Sequence, residues 1–541
     1  MQKTDRHPLI TGARVNSLGT LASRVLGMVR DMSMAALFGL AGSGIMDAFV
    51  IAYRIPNLFR RLFGEGALTA SYLPVLAAEL ERGPRGAWRL ASVVLTWLVI
   101  VLAGLVVAGE GLLAVGWWLL GDVPGLRLLL GLAAVLLPFV LTVCVAAQLA
   151  ATLHVLSHFT VPAFAPVVLN ACWLAAIWLL APCFQSNREA HAYVIACAIL
   201  LAGVLQVGGL WTMLRRLGFR YEYHWPASRT GMSRIGAALG PMVFGLAVTQ
   251  INSLVDSLIA WGLAARPGSP AHVPWLPGAI GYPMEQGAAA AIYYGERLYH
   301  FPMGVLGMAV AAAIFPLLSR HAARGDRRLL GRDLTLGMRL ITCLGVPAGV
   351  GLIMLAEPLA RLLFEHRAFT PEDTLRTARM IQCYGGGVWA FCALPVLVRG
   401  FYATGVTRTP VTVAAWIVGL NLALNLTLIW PLAETGLAVA SAASATVQVL
   451  VLLVIFSRHQ SHVDWPALGA AAARTLAASG LMAVAGLAAL RGIAPVPGLA
   501  NELARVFVPI ALSVAVYWGT YRLLGGRELG MVLRGVDQRQ P

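Results

Sequence analysis

Charge is scarce in this sequence of 541 residues. Only 12% of the residues are charged, whereas 59% are hydrophobic, and the mean hydropathy is +0.76. A soluble globular protein is typically about 25% charged, so this chain lacks the polar residues needed to cover a water-facing surface. A membrane-spanning helix needs about 20 apolar residues, and the chain has room for about fourteen. The composition excludes an ordinary soluble protein and predicts an all-α polytopic membrane protein.

Lysine and cysteine are scarce as well. Lys3 is the only lysine, so arginine supplies nearly all of the positive charge behind a formal net charge of +16. The seven cysteines form no CxxC motif, which argues against a disulfide framework or a zinc site. His154 and His158 are one helical turn apart, but two ligands do not complete a metal site, so we expect no metal. Walker-type, HExxH and GxSxG motifs are missing too, and we expect no enzymatic activity.

The arginines are concentrated in alternate connections between the apolar stretches. Residues 82–89, 215–234 and 320–332 are rich in arginine, and the intervening connections are poorer. Basic residues accumulate on the cytoplasmic side of a membrane, so both termini are predicted to be cytoplasmic. The excess positive charge is then largely a matter of topology, and it does not indicate a nucleic-acid partner.

An internal repeat predicts two parallel six-helix units. The segment ALTASYLPVLAAELERG at 67–83 matches AVAAAIFPLLSRHAARG at 309–325, with Pro74 opposite Pro316. Because six is an even number, the two repeats have the same orientation in the membrane. We therefore expect two lobes around a central cavity, followed by two additional helices. The predicted divisions are 1–230 for helices 1–6, 231–460 for helices 7–12, and 461–541 for helices 13–14 and a cytoplasmic tail.

Charged residues interrupt three of the predicted spans. They are Arg24, Arg30 and Asp31 in the first, Asp47, Arg54, Arg60, Arg61 and Glu65 in the second, and Glu296 and Arg297 in the eighth. A central arginine costs about 2.5–3.5 kcal/mol on insertion scales, so these groups are expected to face the protein interior. The planar guanidinium binds phosphate in a bidentate manner. A basic intramembrane cavity predicts a phosphorylated lipid or lipid-linked sugar as substrate.

Several of the polar residues could have a role other than binding this substrate. Arg30 with Asp31, and Arg54 with Asp47, could simply neutralise one another. A second polar set could form a site for a monovalent cation, sodium or proton, or could make hydrogen bonds between helices. That candidate ion site consists of Asp256, Asn421, Asn425 and Ser441.

Several segments resemble one known family. They are SRVLGMVRD at 23–31, DAFVIAYRIPNLFRRLFGEGA at 47–67, VPAFAPVVLN at 161–170, YYGERLYHFPMGVLG at 293–307 and GFYATGVTRTPV at 400–411. They resemble the MurJ/MviN lipid II flippases of the multidrug/oligosaccharidyl-lipid/polysaccharide exporter superfamily, over essentially the whole chain. The chain departs from the family pattern at Gly405 and Val406, where an acidic residue is usual, and in the longer, proline-rich segment 266–286.

The resemblance implies a function and residue roles. It implies translocation of lipid II, the undecaprenyl-pyrophosphate-linked disaccharide peptide, across the bacterial inner membrane, with helices 13 and 14 forming a groove for the lipid tail. The implied substrate-binding residues are Arg24, Arg30, Arg54, Arg60, Arg297 and Asn57. Residues assigned to a gate or to support of the cavity are Asp31, Asp47, Glu65 and Glu296.

The expected partners follow from the same reading. They are lipid II, membrane lipids and components of the cell-wall synthesis machinery, and the protein is expected to be a monomer driven by the membrane potential. The alternatives are an exporter of another polyprenyl-pyrophosphate-linked oligosaccharide and a membrane enzyme acting on polyprenyl phosphates. A drug-cation exporter is disfavoured because its cavity would need carboxylates.

Overall fold

The computed structural model describes residues 6–40, 42, 44–64, 67–184, 187–274, 276–528 and 530. Contacts group the chain into two compact units, Met1–Ala289 and Ala290–Pro541. The lobe boundaries predicted from the repeat, at residues 230 and 460, stay a prediction.

The described part of the first unit consists of helices with one small pair of strands. Its helices are α1 (Arg6–Phe38), α2 (Ile45–Phe59), α3 (Ala67–Arg82), α4 (Pro84–Leu120), α5 (Leu126–Leu136), α6 (Phe139–Val155), α7 (Thr160–Trp178), α8 (Arg188–Arg216) and α9 (Trp225–Gly262). A π-helical turn, Arg60–Gly64, follows α2, and a 3₁₀ turn, Ala181–Phe184, follows α7. The two-residue strands β1 (Ala264–Ala265) and β2 (Met284–Glu285) pair in parallel.

Helices are also the regular elements of the described part of the second unit. Its helices are α10 (Ala288–Pro302, beginning just before the boundary), α11 (Met308–Ala323), α12 (Arg327–Met354), α13 (Ala356–Phe364), α14 (Pro371–Ala403), α15 (Arg408–Leu432), α16 (Glu434–His459), α17 (Trp465–Gly492) and α18 (Leu499–Leu523). A π-helical turn, Met303–Gly307, joins α10 to α11.

Eleven helical segments in the described part of the chain are long and apolar enough to cross a membrane. They correspond to α4, α5 with α6, α7, α8, α10 with α11, α12, and each of α14 to α18. The prediction of an all-α polytopic membrane protein is confirmed. The three other predicted spans coincide with α1, with α2 to α3 and with α9, and the total of fourteen stays a prediction.

Local sequence signals explain where many of these helices begin. Asn187, Asp326 and Asp464 accept hydrogen bonds from backbone N–H groups three residues later, at 2.9, 2.9 and 3.0 Å. Such caps satisfy amide groups that have no partner within the helix. At α14, Thr370 and Asp373 form a reciprocal capping box. These helix ends lie outside the apolar stretches, so the hydropathy of the sequence does not locate them.

Packing within each unit buries aromatic and small residues between helices. In the first unit, α7 packs against α1 and α8, and Trp173 is 2% exposed. In the second, α11, α12, α14 and α16 enclose a core that includes Leu334, Val396 and Phe456. A side chain at Gly349 of α12 would lie 2.5 Å from a backbone oxygen of α14, so a glycine is needed for this close approach.

The backbone supports the internal repeat recognised in the sequence. The π-helical turns Arg60–Gly64 and Met303–Gly307 stand at corresponding positions, each just before the helix that carries the repeated segment. Each turn follows a proline, Pro56 in α2 and Pro302 in α10. A π turn widens the helix locally and is frequent at functional sites. In the first unit this turn contains Arg60 and Arg61, two of the arginines that interrupt the second predicted span.

Candidate functional site

Arg30 of α1 lies in a buried polar cluster of the first unit. Its Nη2 and Nε atoms lie 2.8 and 3.1 Å from Asp31 Oδ1, and its Nη1 donates to Asn170 Oδ1 at 3.2 Å. The guanidinium carbon lies 4.4 Å from the centroid of the Trp173 ring. A buried ion pair is tolerated when good geometry and added hydrogen bonds offset desolvation. The structure thus brings Arg30 and Asp31 together as the neutralising pair that the sequence allowed.

Arg24 is placed differently on the same helix. It lies six residues before Arg30, about 9 Å along the helix axis, and its side chain is exposed. Asn170 of α7 holds this part of α1, because its Nδ2 donates to the Ser23 carbonyl at 3.2 Å while its Oδ1 accepts from Arg30. Helix α1 therefore presents one arginine paired with a carboxylate and one exposed arginine.

Asp47 and Arg54, which are two turns apart on α2, contact different neighbours. Asp47 is 1% exposed, and its Oδ2 accepts a hydrogen bond of 2.7 Å from the backbone N–H of Gly287. Arg54 Nη1 donates to the Ser253 carbonyl of α9 at 2.9 Å and also contacts the Ser253 hydroxyl. The carboxylate thus holds the segment that leads into α10, and the guanidinium reaches α9.

The π-helical turn after α2 presents the next two arginines. Arg60 Nε and Nη2 lie 3.1 and 2.9 Å from Asn57 Oδ1, so Asn57 orients Arg60 one turn away. Arg61 Nη1 donates to Gln250 Oε1 of α9 at 3.1 Å. Both arginines are half-buried. Glu65, the fourth position that the sequence singled out here, lies outside the described residues.

In the second unit, Glu296 and Arg297 lie on α10 and are half-buried. Arg297 Nη2 donates to the Tyr293 hydroxyl one turn earlier, and its guanidinium carbon lies 4.4 Å from the centroid of the Tyr293 ring. Stacking on an aromatic face orients a guanidinium without supplying a counter-charge from that ring. Tyr293 is therefore one side chain that orients Arg297.

The residues of the candidate ion site are divided between the two units. In the first, Asp256 of α9 is 3% exposed, and Asn252 Nδ2 lies 3.4 Å from its Oδ2. In the second, Asn425 Nδ2 donates to Asn421 Oδ1 at 2.9 Å, both residues are buried, and Ser441 is half-buried. Both of these hydrogen bonds lie within a single helix, so the cation site and the hydrogen bonds between helices both stay predictions.

The long proline-rich loop after α9 is folded onto the first unit. Strands β1 and β2 close its ends, and Arg266 stacks on Trp261 at 3.6 Å while Nη1 donates to the Pro124 carbonyl at 3.4 Å. Burial lowers the pKa of Arg266, and the nearby Asp47 carboxylate opposes this shift. The sequence marked this loop as a long, proline-rich departure from the family pattern, whereas the structure shows how it is anchored.

Sequence reasoning missed the polar face of α9. Gln250 and Ser253 contact two arginines, yet the sequence analysis assigned them no role. The signal that could have found them is their spacing, because Gln250, Ser253 and Ser257 recur every three or four residues on one helix face. Trp173 was missed for a different reason, since an aromatic residue in an apolar span gives no sign that an arginine stacks on it.

Comparisons with known proteins agree with the motifs. A model of the family described as lipid II flippase MurJ matches residues 34–500. The chain is 30% identical over 534 residues to a probable lipid II flippase MurJ of Rhizobium tropici, covering 96% of this chain and 95% of the relative. It is 32% identical over 457 residues to a probable lipid II flippase MurJ of Vibrio cholerae, covering 82% of each.

Solved structures show the same fold. A structure described as lipid II flippase MurJ in an inward closed conformation has a TM-score of 0.73 at 20% identity, covering 94% of this chain and 99% of that one. An inward-facing multidrug resistance MATE family transporter of the MOP superfamily has a TM-score of 0.65 at 13% identity, covering 83% and 95%. The structural matches establish the fold, and the match of the family model over most of the sequence establishes the relationship. The chain belongs to the lipid II flippase MurJ family.

Proposed function

We propose that this membrane protein is a lipid II flippase that carries the peptidoglycan precursor from the cytoplasmic to the periplasmic leaflet of the bacterial inner membrane. The observation that carries the proposal is the set of arginines in the predicted spans, of which Arg24 is exposed and Arg54, Arg60 and Arg297 are half-buried. Arginine at membrane depth is costly and is retained where it serves a substrate pathway. A pyrophosphate attached to a polyprenyl tail matches both the charge and the location.

Transport would proceed by alternating access, in which the binding site opens to one leaflet at a time. The arginines would bind the pyrophosphate, because a guanidinium can donate two parallel hydrogen bonds to phosphate oxygens. Both termini would be cytoplasmic, as the arginine-rich connections favour. Components of the cell-wall synthesis machinery are the expected protein partners, and no catalytic step is required.

The energy source would be the membrane potential, assisted by a monovalent cation near Asp256. The potential is worth about 2.3 kcal/mol per charge per 100 mV and is negative inside, so it favours outward movement of an anionic headgroup. Dissipating the potential alone should slow flipping by proteoliposomes, and Asp256→Asn should remove a dependence on sodium or pH. A rate unchanged by both treatments would contradict this energy source.

Replacement of a chromosomal lipid II flippase by this chain tests the proposed function. The unaltered chain should support growth, whereas Arg24→Ala and Arg297→Ala should not, because each removes a phosphate-binding guanidinium. Arg24→Lys should restore growth only in part, since lysine keeps the charge but cannot form the bidentate contact. Growth, cell shape and protein level in the membrane are measured together.

Arg491→Ala is the matched control, because Arg491 is exposed in the last turn of α17, a helix that carries none of the arginines assigned to the substrate. It should support growth like the unaltered chain. Rescue by Arg24→Ala and Arg297→Ala at normal protein levels would contradict the role of the arginines. If the unaltered chain failed to support growth but transported another polyprenyl-pyrophosphate-linked oligosaccharide, that oligosaccharide would replace lipid II as the proposed substrate.

A further inference from the structure

Helix α9 provides hydrogen-bond acceptors to arginines of α2 and of the π-helical turn that follows it. Gln250 and Ser253 are three residues apart on α9, so they lie on one face of the helix. Arg61 Nη1 donates to Gln250 Oε1 at 3.1 Å, and Arg54 Nη1 donates to the Ser253 carbonyl at 2.9 Å. The Ser253 hydroxyl contacts the same Nη1 atom. These contacts link segments that are 189 and 199 residues apart in the sequence.

The acceptors on α9 are neutral. A glutamine amide oxygen, a serine hydroxyl and a backbone carbonyl orient a guanidinium while α9 adds no negative charge through them. Arg30 provides the contrast, because the carboxylate of Asp31 pairs with it at 2.8 Å. A guanidinium has five N–H donors, so one or two bonds to α9 are compatible with a bidentate contact to a phosphate. Because these acceptors carry no charge, they do not offset the positive charge with which an arginine attracts an anionic ligand.

We propose that Gln250 and Ser253 are positioning residues, which hold Arg61 and Arg54 in the orientation that receives the pyrophosphate of the substrate. This inference rests on the proposed function, adds Arg61 to the arginines that bind the pyrophosphate, and extends the site to α9, which carries none of those arginines. Gln250 acts through Arg61, and Ser253 acts through Arg54. Neither residue needs to touch the lipid.

Replacement of Gln250 by leucine and by glutamate distinguishes positioning from simple structural support. Leucine removes the acceptor, and lipid II affinity should fall about 10-fold, as expected for loss of one hydrogen bond to a charged group. Glutamate restores the acceptor as a carboxylate that pairs with Arg61 and repels the pyrophosphate, so the affinity should fall further than with leucine. A purely structural role predicts the opposite order, because glutamate would hold Arg61 more firmly than glutamine does.

Ser253→Ala and Ser257→Ala form a matched pair on the same helix face. Ser257 donates at 3.1 Å to the Ser253 carbonyl, the same oxygen that accepts from Arg54, so Ser257→Ala removes a hydroxyl from this helix face and keeps both acceptors of Arg54. Ser253→Ala keeps the backbone acceptor for Arg54, and we expect lipid II affinity to fall about 2- to 5-fold. Ser257→Ala should leave the affinity unchanged.

The measurement is equilibrium binding of lipid II, and of undecaprenyl pyrophosphate, to the full-length chain in detergent, with thermal unfolding recorded for every variant. Undecaprenyl pyrophosphate keeps the anion and lacks the sugar and peptide, so both probes should report the same order of affinities. Equal affinities across the Gln250 variants, or equal losses for Ser253→Ala and Ser257→Ala, would overturn the inference alone. Absence of binding by the unaltered chain would overturn the proposed function.

Discussion

Replacing Arg30 with methionine should lower the free energy of unfolding by about 3–5 kcal/mol. Arg30 and Asp31 are 7% and 4% exposed, and they form an ion pair of 2.8 Å. Loss of the guanidinium leaves the carboxylate buried without the positive charge beside it, which is costly where water is excluded. The change also removes the donor to Asn170 and the cation that stacks on Trp173. Equilibrium unfolding of the purified protein in mixed detergent micelles measures the difference.

The double variant Arg30→Met and Asp31→Asn should recover most of the lost stability. Replacing both members of a buried pair by neutral residues of similar volume is often close to neutral, because no uncompensated charge remains. If Arg30 also binds the pyrophosphate, the double variant should fold normally but should bind lipid II only weakly. This combination separates the structural role of the pair from its role in binding.

Arg24→Met is the matched control for the Arg30 variant, since Arg24 lies on the same helix and is exposed. It should change the free energy of unfolding by less than about 1 kcal/mol, as exposed charges contribute little to stability. An equal loss of stability in the single and double variants at Arg30 and Asp31 would show that the ion pair is not the cause.

Replacing Arg339 with methionine should have a comparable effect on the second unit, about 3–5 kcal/mol. Glu528 follows α18 and is 0% exposed, and Arg339 of α12 donates to its Oε1 from Nε at 2.9 Å and from Nη2. The Tyr521 hydroxyl and the backbone N–H of Arg527 donate to Oε2 at 2.7 and 2.9 Å. The variant would leave this carboxylate buried without its guanidinium. Thermal unfolding of the purified protein gives the shift.

The same site predicts a loss of stability in acid. Burial by itself raises the pKa of Glu528, but hydrogen bonds from Tyr521, from the backbone and from Arg339 outweigh it and leave the pKa below 4.5, its ordinary value. A group with a lowered pKa in the folded state contributes its full stability above its unfolded pKa, and this contribution is lost as the pH falls through the folded pKa. The stability that Glu528 contributes should therefore be constant above about pH 5. It should decrease as the pH falls below 4.5, the ordinary pKa of this side chain.

Glu528→Gln tests both the acid sensitivity due to Glu528 and the loss of stability predicted for Arg339→Met. It should remove this part of the acid sensitivity, and in combination with Arg339→Met it should recover most of the stability lost by Arg339→Met alone. Arg332→Met is the matched control, because Arg332 is exposed on the same helix. If Arg339→Met were no more destabilising than Arg332→Met, the contact with Glu528 would not contribute to stability.

The fold class and the charged residues within the membrane follow from the sequence, because both depend on composition over short windows. An arginine within an apolar span stands out wherever its partner lies, and the motifs around Arg24, Arg54 and Arg297 were specific enough to indicate the family. The contacts of Glu528, in contrast, could not be predicted from the composition of short windows. The sequence assigned its region to a cytoplasmic tail, whereas the structure buries its carboxylate against α12.

The turn after α18 explains the position of Glu528. Gly525 has a φ of +80°, and the Gly526 N–H donates to the Tyr521 carbonyl at 2.9 Å, so the chain reverses immediately after the helix. A side chain at Gly526 would lie 2.1 Å from the Tyr521 ring. Two adjacent glycines in the sequence indicate a turn, but they do not indicate what the residues after the turn will contact.

The sequence by itself determined that this protein is a helical membrane protein of the lipid II flippase MurJ family with arginines in its predicted spans. The tertiary structure alone decided the partners that lie on other helices: Asn170 for Arg30, Ser253 for Arg54 and Gln250 for Arg61. The physical reason is that hydropathy and helical spacing are local, whereas a hydrogen bond between helices depends on how two faces pack. Gln250 and Arg61 are 189 residues apart in the sequence, and only the packing of α9 beside the π-helical turn makes them neighbours.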